Sequence, residues 1–242
     1  GTNGFFILKD GNSVTDQSGN SNNLTVGAGT LTKTEDCPDN VFATLNPLAL
    51  TTRQTLSNGN LTGTSSSWTS AISTIGVTTG KWYAEVKYVN ATGNIMVGVM
   101  DEQDMSSLTG GTGGLGFTTN SVGYYSSDGT KFIGDSASSY GASYTANDIL
   151  GIAVDLDSGT KTVTFYKNGA SQGAINLPTT GTGTFFIGTS TTSNGVTSIN
   201  FGNGYFGSTQ ISSAGTNASG IGIFEYDVPT GYTALSTKGL NL

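Results

Sequence analysis

From Asp148 to Gly169 the chain reads DILGIAVDLDSGTKTVTFYKNG. Ile149–Leu156 is apolar nearly throughout, the mark of a strand buried on both faces. Asp157-Ser158-Gly159-Thr160 reads as a turn, and Thr162–Tyr166 as the strand that returns from it. Asn168-Gly169 is a strong two-residue hairpin signal, because both residues tolerate the positive φ such a turn needs. The stretch also carries three aspartates, which raises a question of chemistry. Asp148 fits a turn before the strand. Asp155 and Asp157 lie two apart and share a face while the strand lasts. Asp157 is placed to bond its own backbone in an Asx turn ahead of Gly159. A Ca²⁺ site takes about six or more oxygens, and no loop follows the D-x-[DN]-x-[DN]-G spacing. No cofactor is therefore expected, with Ca²⁺ left open through carbonyls of distant loops.

The same grammar extends outward. GKWYAEVKYVN, 80–90, alternates, with Trp82, Ala84, Val86 and Tyr88 on one face. Tyr83, Glu85, Lys87 and Val89 fall on the other, which places Glu85 at the outer sheet surface. Asn90-Ala91-Thr92-Gly93 is a hairpin loop before the alternating run Ile95–Met100. Residues 101–121 read as one long Gly-rich loop headed by Asp101, Glu102 and Asp104, and loops of that length are often functional. SVGYYSSDGTKFIG, 121–134, is a hairpin with Ser127-Asp128-Gly129 at its tip. Phe185–Gly188 and Val196–Gly202 are further strands, and Gly4–Leu8 is a short strand candidate. Helical periodicity is nearly absent, so the fold class is all-β, a sandwich or barrel.

Composition narrows the function. Of 242 residues 37 are Gly, and Ser, Thr and Asn abound, yet 11 Phe, 10 Tyr and two Trp argue for a packed core. Charged residues are only 10%, so the surface is expected to be built from hydroxyls and amides. Net charge is −7 and no Lys/Arg cluster exists, which argues against nucleic acid. No apolar run has the length of a membrane span. Gly1-Thr2-Asn3-Gly4 lacks the basic start of a secretory leader, so a mature or excised piece is expected. There is no His and one Cys, Cys37. Ser-His-Asp and Cys-His catalysis in their usual forms are excluded, as are the common zinc sites. Four Asn-x-Ser/Thr matches, at Asn23, Asn60, Asn90 and Asn217, are expected by chance in such a chain and carry no weight.

A family resemblance rests on motifs in order: Gly80-Lys81-Trp82-Tyr83-Ala84-Glu85-Val86, Gly98-Val99, Gly123-Tyr124, Asp148-Ile149-Leu150-Gly151, Asp155-Leu156-Asp157, Phe165-Tyr166-Lys167-Asn168-Gly169, then Val196 and Asn200-Phe201-Gly202. Together, over about 65–202, these resemble a SPRY domain. The resemblance implies a two-sheet antiparallel β-sandwich of concanavalin A-like, jelly-roll type. DQSGNSNNLTV, 16–26, is similar to the opening of laminin-G-like sandwiches. NVFATLNPLALTT, TLSNGNLTGTSSSW and FEYDVPTGYTALSTKGL resemble flanks of SPRY-like modules in bacteriophage virion proteins. The division that follows is 1–50 as a docking or strand-completing lead-in, 51–205 as the SPRY-like sandwich, and 206–242 as a strap and linker.

The flanks imply a non-enzymatic module of a phage particle, in a tail fibre, spike or capsid appendage at the virion surface. Its partners would be other virion proteins and a host glycan or protein, and the chain would form a homo-oligomer. The alternatives are an intracellular SPRY adaptor that binds protein, and a concanavalin A-like carbohydrate-active enzyme. The enzyme needs two carboxylates flanking a sugar bond, and three acids within four positions on one loop are a poor version of that. SPRY modules, by resemblance, bind through loops at one end of the sandwich, and the 101–121 loop and the Tyr125–Asp128 tip are assigned to that end. Exposed aromatics anchor partners or stack on sugars. Trp68, Tyr124, Tyr125, Tyr140 and Tyr144 are of interest, although each alone suits a core. The candidate ligand-binding residues are Trp68, Asp101, Asp104, Tyr125, Asp128 and Tyr140; none is assigned as catalytic or metal-binding.

Overall fold

The computed structural model describes residues 1–7, 13–28, 36–49, 54–109 and 114–242. Leu8 of the expected first strand, the 50/51 boundary and positions 110–113 of the Gly-rich loop lie outside them. Among the described residues, thirteen strands build the sandwich: β1 (Gln54–Ser57), β2 (Thr62–Ser65), β3 (Thr69–Ile72), β4 (Lys81–Asn90), β5 (Ile95–Asp101), β6 (Ser121–Tyr125), β7 (Thr130–Ile133), β8 (Ser136–Ser139), β9 (Ile149–Asp155), β10 (Thr162–Lys167), β11 (Ala170–Asn176), β12 (Phe185–Thr191) and β13 (Gly195–Asn200). Three two-residue strands follow, β14 (Tyr205–Phe206), β15 (Thr209–Gln210) and β16 (Thr233–Ala234).

One sheet has the order β1-β2-β13-β4-β9-β10-β11, with β16 joined to β4 in parallel. The other has the order β3-β12-β5-β6-β7-β8. All other pairings in both sheets are antiparallel, and the fold is the two-sheet sandwich of concanavalin A-like type. β9 is buried at every position, as its apolar run requires. The Asn168-Gly169 turn joins β10 to β11 with φ of 48° and 80°. Gly169→Ala would place its Cβ 2.8 Å from Cδ1 of Tyr226 in a conformation that L-residues avoid. It is expected to lower stability by about 1–2 kcal/mol, read as a reduced urea midpoint at unchanged m.

Val97 and Val99 of β5, Tyr124 of β6, Val86 of β4 and Phe165 of β10 share one core. Phe42, Ala43 and Leu45, which precede the sandwich strands, belong to the same core, as does Phe224 from the tail. The expected strand at 4–8 does not form over its described part, 4–7: Phe6 donates its N–H to Asp16 Oδ1 and accepts from Gln17 N.

The hydroxyl-rich composition is not confined to the surface. Ser70 pairs with Ser190 at 2.6 Å, Thr62 with Ser198 at 2.9 Å and Thr189 with Thr197 at 3.1 Å, all buried. Each pair satisfies two polar groups at once inside the protein, which is what makes Ser and Thr affordable there.

Two expectations about faces are corrected. Glu85 is not at the outer surface: it and Tyr83 are buried, because the tail segment around Phe224–Tyr226 lies over that face of β4. Only where this cover runs out does the face open, with Lys87 half-buried and Val89 exposed. The 101–121 segment is not a single loop either. It begins with a 3₁₀ turn (Glu102–Asp104) and a short helix (Met105–Thr109). Its return at Leu115 then packs with Ile72, Met100 and Leu108 on the outer face of the six-stranded sheet.

Candidate functional site

The strand register sorts the candidate residues by end. β5 runs from Ile95, opposite Thr191, to Asp101, opposite Phe185. β6 runs back, with Ser121 opposite Met100 and Tyr125 opposite Met96. The β6–β7 tip therefore lies at the end where β3 and β5 begin and β12 finishes. Trp68, Tyr125, Asp128 and Tyr140 all fall at this end. Asp101 and Asp104 lie at the opposite end, so the head of the 101–121 segment and the Tyr125–Asp128 tip do not share one end as expected.

Part of that segment does come back. Leu115 donates its N–H to the Ser70–Ser190 hydroxyl pair at 3.0 and 2.9 Å, and Gly116 donates to Ser121 Oγ. These bonds pin the returning chain across the sheet and deliver Phe117 to Trp68. The result is a closed quartet of half-buried rings. Trp68 meets Phe117 at 6.0 Å and Tyr125 at 5.8 Å, while Phe132 meets Phe117 at 5.2 Å and Tyr125 at 5.9 Å. Three of the four contacts are edge-to-face, the arrangement that ring quadrupoles favour. Asn94 donates to the Tyr125 hydroxyl at 2.8 Å, which fixes that ring's polar end. Exposed Ser127 and Asp128 stand at the adjacent tip. Asp128 accepts from Thr130 N, so it also shapes its own turn.

Phe117, Phe132 and Asn94 were not foreseen. Phe132 had a signal: it pairs with Gly123, two residues from Tyr125, so hairpin register puts both rings on one face. Phe117 had none, since its place depends on the chain folding back.

Tyr140 belongs to a different environment. Its ring packs on Tyr124 at 5.1 Å and Phe165 at 6.0 Å, and its hydroxyl donates to the Gly173 carbonyl while accepting from Phe165 N. Burial pushes this phenol up to about 12. It bridges the β8 and β11 edges, with Lys131 Nζ 5.6 Å from the ring centroid. Tyr124 and Tyr144 are core residues.

The carboxylates do local structural work. Asp101 is buried and accepts from the N–H groups of Gln103, Thr182 and Gly183. Asp104 accepts from Asn120 N at 2.6 Å. Asp148 accepts from Thr145 N and Asn168 Nδ2 and pairs with Lys167 at 3.3 Å. Burial opposes its ionisation, but these donors outweigh it and hold the acid below its ordinary range. Asp155, not Asp157, makes the turn that follows β9. It accepts from Asp157 N, Ser158 N and Ser158 Oγ and pairs with Lys81 at 2.9 Å. Against the cost of burial, Lys81 and these donors lower it to about 2. Asp157 reaches across to accept from Gly80 N at 2.6 Å. All three aspartates of the 148–169 stretch thus bind backbone. Among the described residues no group of three or more His, Cys, Asp or Glu is placed to hold a metal.

A family model described as the SPRY domain matches residues 81–204, just over half of the chain. A crystal structure of a human SPRY domain is 19% identical, with a TM-score of 0.48, over 61% of this chain and 94% of that one. A stonustoxin structure is 21% identical, with a TM-score of 0.51, over 65% of this chain and 27% of that one. At its identity the stonustoxin likeness speaks to fold alone. No curated protein matches the sequence.

Proposed function

Since the chain belongs to the SPRY domain family, we propose that it is a non-catalytic module that binds a protein partner through the Trp68–Phe117–Tyr125–Phe132 surface. The single observation that carries this reading is the closed ring quartet, half-buried, on the six-stranded sheet beside an exposed tip. Aromatic rings give large contact area at small entropic cost and dominate interface energetics. By resemblance, SPRY modules bind through loops at one end of the sandwich, which supports a role for the tip in this surface. A non-catalytic role is supported by the carboxylates at Asp101, Asp104, Asp148 and Asp155, which are spent on backbone N–H groups. The narrower setting in a phage particle, with a host glycan as ligand, rests on the flanking sequences alone. The family match adds nothing to it, and the protein-binding adaptor is the reading adopted.

The test is selection of binders from a displayed peptide and small-domain library on the purified protein. Affinities are then measured for wild type, Trp68→Ala, Tyr125→Ala and, as a distant control, Lys161→Ala. Either quartet substitution is expected to weaken selected binders by roughly tenfold or more, the scale of an interface hot spot. Lys161→Ala is expected to change nothing. Binders indifferent to both quartet substitutions in folded variants would sink the proposal.

A further inference from the structure

The six-stranded sheet ends in a strand whose outer side pairs with no described residue. β8 is the last strand of that sheet, and all four of its residues, Ser136-Ala137-Ser138-Ser139, are exposed. An open strand edge is a template for another chain, and proteins blunt such edges with charges, proline or bulges. Two of the other three sheet edges are closed to pairing. β3 is buried at every position. β11 is kinked by an irregular register opposite Thr164–Tyr166 and by Gly173 at φ 101°, and its Gln172 side chain holds Ala142 N. β8 has no charge and no proline, and its register with β7 is unbroken from Thr130↔Ser139 to Ile133↔Ser136.

The turn that leads into β8 decides which of its groups face outward. Gly134 and Asp135 form a two-residue hairpin loop with φ of 57° and 66°, the I′ geometry. The residues flanking such a loop, Ile133 and Ser136, exchange main-chain bonds, and bonded and unbonded pairs alternate from there along the ladder. Ser136 and Ser138 therefore turn their N–H and C=O groups to β7. Ala137 and Ser139 turn theirs outward, where no described residue bonds them.

The same register ties this edge to the ring quartet. Ala137 lies opposite Phe132, so its methyl group is on the quartet's face of the sheet. Asp135 N donates to the Gly116 carbonyl at 2.8 Å, which anchors the β7–β8 hairpin to the chain that carries Phe117. A strand added beside β8 would lie roughly 10 Å from β7, two strand spacings. A large apolar side chain opposite Ala137 spans that gap over a methyl group and reaches the half-buried Phe132 ring. A second copy of this chain suits the edge less well. β8 set against β8 offers only Ser and Ala side chains, which stop short of the ring.

We infer that the partner of the quartet enters as an extended segment. It adds a strand to β8 through the main-chain groups of Ala137 and Ser139, and lays a large apolar side chain across Ala137 onto Phe132. In this mode the main chain gives affinity and alternate side chains give specificity. The inference rests on the quartet reading and narrows its partner to an extended peptide without proline at the paired positions.

The experiment pans a displayed library of random linear peptides of roughly eight residues, within the range of ordinary strands, on the full chain. Enriched peptides are expected to share a large apolar residue within a run free of proline. Saturating peptide is expected to slow amide hydrogen exchange at Ala137 and Ser139 by about tenfold or more, while Ser138, already bonded to β7, changes little. N-methylation is expected to weaken a peptide roughly tenfold at the amides that face β8 and little at those between them. Ala137→Pro deletes one outward donor where an edge strand tolerates proline, and is expected to weaken the peptides to a similar degree. Ala137→Glu keeps the main chain and blocks the path to Phe132, with the same expected loss. Peptides that need Trp68 and Tyr125 but ignore N-methylation and both folded Ala137 variants would overturn the inference and leave the quartet reading standing. Small domains that bind the quartet while no linear peptide enriches would do the same. Peptides indifferent to Trp68→Ala and Tyr125→Ala would overturn both. Protection of Ala137 that grows with protein concentration without peptide would assign the edge to a second copy and overturn the inference.

Discussion

Glu85→Ala is expected to lower stability by on the order of 3 kcal/mol. The carboxylate is buried and accepts from Glu225 N at 2.7 Å, Tyr226 N at 2.9 Å and the Tyr83 hydroxyl at 3.2 Å. Removing it leaves two backbone N–H groups without acceptors beneath the tail, at about 1–3 kcal/mol each. The same residue gives the protein a pH signature. Burial raises Glu85 from 4.5 to about 7, despite the N–H groups of Tyr226 and Glu225 and the Tyr83 hydroxyl, which favour the ionised form. Between those two values the folded state holds a proton that the unfolded state has released. Stability therefore falls as pH rises from 4.5 to 7, by roughly 3 kcal/mol in all, and levels off above. The chain has no His to obscure that window. Asp148 and Asp155, both lowered, act in the opposite sense below their ordinary range: their stabilisation is lost on acidification. Denaturant unfolding from pH 3 to 8 is expected to show a maximum near pH 4.5–5, and Glu85→Gln is expected to flatten the limb above it. An unchanged limb in Glu85→Gln would assign the titration to another group.

Asp101→Ala is expected to cost a similar amount, on the order of 3 kcal/mol, for a related reason. Its two oxygens accept from Gln103 N, Thr182 N, Thr182 Oγ1 and Gly183 N at 2.7–3.1 Å. It thereby ties the 3₁₀ turn after β5 to the loop before β12. The contrast with Trp68→Ala is diagnostic. Asp101→Ala should lower the unfolding midpoint while the folded fraction binds selected partners as tightly as wild type. Trp68→Ala should lose affinity at nearly unchanged stability. A folded Asp101→Ala protein with weakened binding would return Asp101 to the docking surface.

The strands were legible wherever local pattern settles the matter. β4, β5, β9 and β10 follow from alternation or unbroken apolar runs, and the β10–β11 turn from Asn168-Gly169. What alternation cannot report is what lies on top of a sheet. Glu85 looked solvent-facing because its cover arrives 140 residues later. Phe117 joins the quartet only because buried Ser70 and Ser190, on two distant strands, hold Leu115 N in place. Asp155 holds the turn expected of Asp157 for a similar reason, since Gly80 offers Asp157 a donor from across the sheet. Of the candidate site, Tyr125 was legible as a large ring beside a predicted hairpin tip, and Trp68 only as a large ring, since β3 after it was not foreseen. Their convergence with Phe117 and Phe132 was not, because it is a property of the folded register.

The clasp on Glu85 also has a history in time. A ribosome delivers β4 long before Glu225, and at about 5–20 residues per second the outer face of that strand waits roughly 7–28 s for its cover. During that interval Tyr83 and its neighbours form a bare sheet surface of the kind that draws other chains together. An ionised carboxylate in its middle keeps the surface wetted and repels a second copy of itself. The cost that Glu85 imposes on the finished protein above pH 7 is thus matched by a service to the unfinished one, and an apolar residue in its place would make nascent chains adhere.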